Sequence, residues 1–274
     1  MVALYAAFFV IPLLIMVNTS LVQYANGQVT SVHTLANYVQ FFAEATFRND
    51  LYQTLYLGIT VTLTALLLGY PLAYVMAKSK SDLVRGTIST VVILPLFVSL
   101  VARSFGWIIL LSDRGVINYL LMGSGLVSSP MPLIFNFVGI YIAMVHILIP
   151  FMVFSIYSSL GNLDENLVTA SRSLGASSYQ SFRRIVLPLS MPGVTSGSVI
   201  TFVLAISAYV TPALLGAGRV PSLPVDIYNY AVLYLDTPLA SAFAVVLLVI
   251  AAVSIGVYLR VANIEGLYGG EGQR

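Results

Sequence analysis

The sequence predicts an all-α membrane protein with about six transmembrane helices, and three observations predict it. Of its 274 residues, 59% are hydrophobic and only 8% are charged, where a soluble domain carries roughly a quarter charged residues. The few charges leave gaps of the size one helix needs to cross the apolar core of a bilayer, about 20 residues. Within those gaps the sequence is continuously apolar rather than alternating with period two, which favours helices over a β-barrel. The length fits a single compact unit.

Taken in order, the first span covers 2–22, since nothing is charged before Glu44. A signal peptide is the competing reading there, but a charged n-region and a clean small-x-small site near Ala25 are both missing. The second span, 52–77, lies between Asp50 and Lys78. The third, 87–111, follows Arg85 and contains Arg103. The long gap from Arg114 to Asp164 holds a Gly/Ser/Pro-rich loop, Met122 to Pro132, and then the fourth span, 133–158. The fifth, 190–214, precedes Arg219, and the sixth, 239–260, runs from Asp236 to Arg260. The chain thus divides into a first helix with an extracytoplasmic loop (1–48), a membrane domain (49–260) and a cytoplasmic tail (261–274). Gly269-Gly270-Glu271-Gly272 reads as flexible.

Orientation follows the Lys/Arg bias of short loops. Lys78, Lys80, Arg85, Arg172, Arg183, Arg184, Arg260 and Arg274 fall on one side; Arg48, Arg114 and Arg219 fall on the other. The 78–86 and 159–189 segments and both termini are therefore expected in the cytoplasm. Net charge is +2 and the basic residues are scattered, so nothing in the sequence tracks nucleic acid phosphates.

The segment between the fourth and fifth spans is the most informative. Asp164 suits an N-cap, because its carboxylate can accept from free backbone N–H groups. Leu163, Leu167, Ala170 and Leu174 recur at helical spacing on one face. Gly175 stops the helix as a residue free to take positive φ. Ser177 or Ser178 can cap a second helix that begins near Tyr179, carries Arg183 and Arg184, and enters the fifth span through Pro188. An ordinary interfacial connection and a rigid helix docked in a groove on a cytoplasmic partner both fit this pattern.

Thr169-Ala170-Ser171, three residues, Gly175, nine residues, then Ile185-x-Leu187-Pro188 resembles the signature of binding-protein-dependent ABC importer permeases of type I. The family pattern has Glu-Ala-Ala where this chain has Thr169-Ala170-Ser171, and Glu165 lies one turn before the missing carboxylate. Val101 to Trp107, Ile149 to Val153 and Val210 to Gly216 resemble the spermidine/putrescine-type branch. The resemblance implies the type I importer fold and a coupling helix after the fourth span, with Asp164, Glu165, Leu167, Thr169, Ala170, Ser171, Leu174, Gly175, Ile185 and Pro188 facing or positioning an ATPase. It also implies a second permease subunit, two cytoplasmic ATPase subunits that bind ATP and Mg²⁺, an external solute-binding protein, and a small solute such as a polyamine. The bacterial inner membrane is the implied location.

Inside the membrane, Arg103 is the one charge placed within a span. Snorkelling to the outer interface, a gate, and contact with substrate are its three readings. His146 reads as a packing residue, since no Asp or Glu falls in any expected span to form a proton relay. Gly197, Thr201, Ala205 and Ala208 put small side chains on one face of the fifth span, for packing inside the subunit or at a seam with a partner. With Ser198, Tyr209 and Thr211 added, these polar groups are candidates to line a water-filled path.

Other chemistry lacks its parts. There is no Gly-x-x-x-x-Gly-Lys-Ser/Thr loop for ATP phosphates. There are no cysteines, and His33 and His146 are far apart, so no metal site is expected. A stand-alone secondary transporter or channel is the rival reading, but no internal repeat is evident. A membrane-embedded enzyme would need clustered nucleophiles or metal ligands.

Overall fold

The computed structural model describes residues 2–25 and 27–269; at 2–6, Ala25, Glu165 and 261–269 it describes the backbone alone. Its order is α1 (Val2–Ser20), a hairpin of β1 (Val22–Ala25) and β2 (Gln28–His33), α2 (Ala36–Ala43), α3 (Ala45–Lys78), α4 (Asp82–Ile93) and α5 (Leu100–Leu111). Next come α6 (Val116–Gly123), α7 (Phe137–Gly161), α8 (Glu165–Ser173), α9 (Ser178–Ser181), α10 (Leu187–Ile206), α11 (Val210–Gly216), α12 (Leu223–Tyr228) and α13 (Thr237–Gly269).

Among the described residues, five helical stretches are long and apolar enough to cross a bilayer: Ala45–Lys78, Leu100–Gly123, Phe137–Gly161, Ser178–Ile206 and Thr237–Arg260. The second of these bends at Ser112–Gly115, between α5 and α6. The first expected span is α1, of which the apolar part with described side chains is Ala7–Ser20.

The core is a three-helix arrangement of α3, α7 and α10. α3 and α7 run in the same direction: Leu57 and Val61 share one cluster with Ile140 and Ala143, and Ala73 and Met76 share another with Met152, Ile156 and Leu160. α10 runs against them. Without a hydrophobic force between helices in lipid, close approach depends on small residues, and α10 supplies them. A Cβ at Gly193 would sit 2.5 Å from the Ser155 carbonyl oxygen, and one at Gly197 would sit 2.9 Å from the Met152 sulfur. Gly197, Thr201 and Ala205 are buried, so this small face packs inside the subunit. α7 is mostly buried and central, α13 is mostly exposed and peripheral, and α1 packs on α13.

Several boundaries differ from the sequence reading, each for a physical reason. α3 begins at Ala45, not near 52, which brings Asp50 inside a helix. The third span breaks at a 3₁₀ turn, Leu94–Phe97. Pro95 has no N–H to give, and in a regular helix its ring would meet the carbonyl of Val91. The fifth span ends at Ile206 rather than 214, because Pro212 would clash in the same way with Ala208. A bend at Ser207–Tyr209 and the separate α11 follow. The loop expected at Met122 to Pro132 is preceded by a short helix, α6. The β-hairpin was not expected. The last helix continues from 260 to Gly269 across the segment read as a tail; 270–274, with most of the glycine-rich stretch, lie outside the described residues.

Candidate coupling segment and membrane cavity

One end of the bundle carries α8. The Asp164 carboxylate accepts from the Asn166 N–H at 2.9 Å and caps it. At the other end of α8 Gly175 takes φ +89°, the Ala176 N–H reaches the Ser171 carbonyl at 3.0 Å and the Gly175 N–H reaches Arg172 at 2.9 Å. That pair of bonds is a Schellman closure. Ser177 then starts α9 with a reciprocal capping box: its hydroxyl accepts from the Gln180 N–H, and the Gln180 side chain accepts from the Ser177 N–H. A π-helical turn, Phe182–Val186, joins α9 to α10. Ile185 is half-buried in that turn and Pro188 is exposed in the first turn of α10.

The expected apolar stripe divides. Leu163, together with Val168, packs inward against the cluster around Met76, Ile156 and Leu160. Leu167, Ala170 and Leu174 face outward, Leu174 at 89% exposure. Thr169 is exposed, and its carbonyl accepts from the Ser173 hydroxyl at 3.1 Å. Glu165 is the first residue of α8, and its side chain lies outside what is described. Ser171 does what an alanine there could not: its hydroxyl meets the buried Ser181 hydroxyl at 2.8 Å, tying α8 to α9. The tie continues inward, since Phe182 packs edge-on against Tyr70 and Tyr74 of α3 and the Tyr70 hydroxyl meets Ser190 at 2.9 Å. A groove of about 350 Å³ lies between the two helices, with Leu174, Gly175, Arg184 and Ile185 on its walls.

On the far side of the bend after α10, a cavity of about 360 Å³ brings together Arg103, Tyr209 and Thr211 with Phe151 and Ser207. The Arg103 Nη2 donates to the Val98 carbonyl, left free by the break in the third span, at 2.8 Å. Its Nε is buried with no partner among the described residues. Thr211 is buried beside Ser104, their hydroxyls 3.4 Å apart. Tyr209 stacks on Tyr228 with centroids 4.8 Å apart. No carboxylate is among the residues lining this cavity.

Ser198 and Thr201 are not part of it. Ser198 lines a separate groove with Ile59, Leu63 and Val257, and Thr201 is fully buried in the helix core. His146 packs against Trp107, accepting its indole N–H at 3.3 Å. The sequence does not single out Ser207 or Phe151 as cavity residues, although Phe151 lies in the Ile149 to Val153 segment; the available signal is the Pro212 that forces the bend.

An acidic pair corrects the expectation that no carboxylate falls inside a helical span. Asp50 is 5% exposed within α3 and faces Asp226 of α12. Beside it, the Thr54 hydroxyl donates to the Asp50 carbonyl at 2.7 Å and accepts from the buried Leu223 N–H at 2.9 Å. Burial first, then the adjacent Asp50, push the Asp226 carboxyl up to about 7.

Comparisons with known proteins identify the family and the fold. Residues 65–263 match the family model of the binding-protein-dependent transport system inner membrane component. The chain is 31% identical over 258 residues to the spermidine/putrescine transport system permease protein PotB of Escherichia coli K12, covering 94% of this chain and 93% of that one. It is 28% identical to the inner membrane ABC transporter permease protein YdcU of the same organism, covering 87% and 79%. Its fold is similar to a chain of the bacterial alginate ABC transporter in complex with alginate pentasaccharide-bound periplasmic protein, with TM-score 0.73, 19% identity and coverage of 94% and 89%. The chain therefore belongs to the inner membrane components of binding-protein-dependent transport systems: it is the permease subunit of an ABC importer, not an enzyme, and the ATPase is a separate subunit.

Proposed function

We propose that this subunit takes its stroke from the ATPase through the 161–188 segment and forms part of the solute path at the Arg103–Tyr209–Thr211 cavity. The observation that carries this is the construction of α8. Its inner side is fastened to the bundle through Val168 and Ser171, while Leu167, Ala170 and Leu174 stand outward without cover. A helix fixed on one side and apolar on the other suits a groove on a partner. The closures at Asp164, Gly175 and Ser177 make the unit stiff enough to pass on a displacement.

The α8 end faces the cytoplasm. Lys78, Arg85, Arg172, Arg183 and Arg184 gather there, at the end of α3, the start of α4, the end of α8 and the π turn, while Arg48, Arg114 and Arg219 lie at the opposite end. The partners are a second permease subunit, two cytoplasmic ATPase subunits that bind ATP and Mg²⁺, and an external solute-binding protein. The solute is a small organic compound, polyamine-like by the name of the E. coli relative. With Arg103 in the cavity and no carboxylate on its walls, a polycation would be held by hydroxyls, carbonyls and the faces of Phe151 and Tyr209 rather than by an ion pair.

Leu174→Glu tests the coupling role. Leu174 touches little of its own subunit, so membrane insertion and subunit assembly should be unchanged. Uptake by the assembled transporter in proteoliposomes should fall by about tenfold or more, as loss of at least ~1.4 kcal/mol of docking would give. Normal uptake by this variant would end the coupling reading.

A further inference from the structure

An apolar pocket of about 440 Å³ lies between α1, α10, α12 and α13. Leu13 and Met16 of α1 form one wall, and Val203, Ile206, Ile227 and Leu247 form others. Two polar residues reach it, and neither asks for a polar ligand. The Ser207 hydroxyl already donates to the Val203 carbonyl at 2.8 Å, and the Tyr209 ring is stacked on Tyr228. The pocket is lined by α1 and by two helices, α10 and α13, that are long and apolar enough to cross a bilayer. Its rim runs into the exposed apolar surface of Leu14 and Ile15 on α1 and Val249 on α13, each more than half exposed.

An apolar cavity of this size does not hold ordered water, which needs two to four polar partners, but does take apolar ligands. A protein helix, about 10 Å across, can cover the opening but can enter it by no more than about one turn. An acyl chain is narrow, apolar and present at high concentration in the surface onto which the pocket opens.

We propose that this pocket is a lipid site, in which one acyl chain of a bilayer phospholipid enters between α1 and α13 and lies against Ser207 and Tyr209. Those two residues line both this pocket and the Arg103 cavity. The chain therefore braces the wall of that cavity from behind; this second step rests on reading the cavity as the solute path.

The test is photo-crosslinking of the assembled transporter in native membranes, with a benzophenone side chain placed at Ile227 inside the pocket or at Val249 on the outer surface of α13. A phospholipid-mass adduct at Ile227 is expected, and Ala244→Phe, which fills the pocket, should abolish it while leaving the Val249 adduct. Ala251→Leu is a milder filler that keeps the comparison readable if the larger change lowers accumulation. A peptide adduct at Ile227, or none while Val249 is labelled, overturns the lipid site. Uptake that is unchanged in a filled variant that has lost its lipid adduct overturns the bracing step. That outcome is separable from failure of the solute path itself, which substitution of Arg103 or Thr211 would show.

Discussion

The α8–α9 unit closes its own joints with near neighbours: Asp164 onto Asn166, Ser177 onto Gln180, Ala176 back onto Ser171. At the opposite end of the bundle, beside local caps such as Asn136 onto Gly139 and Asp236 onto Leu239, joints are closed by residues far apart in sequence. Thr54 holds Leu223, Ser104 meets Thr211, and Asp50 faces Asp226. A unit closed locally keeps its shape when its surroundings move, which suits a part that must be pushed as one body. An end held by long-range contacts can exchange them as helices shift, which suits a part that must open and close.

Thr54→Val should have the largest effect in breaking this contrast. It keeps the shape but leaves the fully buried Leu223 N–H without its acceptor. An unsatisfied buried donor costs about 1–3 kcal/mol, read as a lower unfolding temperature in detergent and faster proteolysis of the 207–235 region, with the 161–188 region unaffected. Equal proteolysis of both regions would mean that the two ends are not independent.

Asp226→Asn should have an intermediate effect that depends on pH. Asp226 binds its proton more tightly in the folded state, about 7, than at the ordinary 3.8 of the unfolded chain. Between those values the folded state carries more protons, so stability falls as pH rises from about 4 to 7 and is level above. The Asn variant should have a shallower slope, because only Asp50 is left of the acidic pair, and should gain stability at pH 8 relative to the parent. Thermal unfolding across pH 4–8 checks it; parallel profiles for the two proteins would contradict the assignment.

Ser171→Ala should have the smallest effect. It removes the hydroxyl contact with Ser181 and restores the residue that the family pattern carries. A loss of about 0.5–1.5 kcal/mol is the usual net worth of such a bond, and the caps on either side remain. Uptake should fall by less than in Leu174→Glu. A fall as large would show that α8 is held mainly by this one bond.

The same contrast explains what could be read from the chain alone. Asp164, Gly175 and Ser177 act on residues two to five positions away, so the sequence displays both partners together and the α8–α9 unit was legible in detail. The apolar gaps likewise marked α3, α7, α10 and α13, because bilayer thickness sets their length. The cavity was legible only in part. Arg103, Tyr209 and Thr211 were identified as polar groups in apolar surroundings, but their meeting depends on the bends at Pro95 and Pro212. Thr201 and Ser198 carry the same kind of signal and point elsewhere, because hydroxyl chemistry does not report which face of α10 meets α7. Asp50 and Asp226 are 176 positions apart, and no local pattern joins them.

The π-helical turn at Phe182–Val186 has a consequence for the whole subunit. Such a turn absorbs one residue more than an α-turn, and one residue of helix corresponds to about 100° of rotation. Without it, fastening α9 in place would aim Gly193 and Gly197 about a quarter-circle away from Ser155 and Met152. The inserted residue thus sets the angular phase between the part that receives force and the part that is threaded through the bilayer, and shortening the chain by one residue there would leave both helices intact but misaligned.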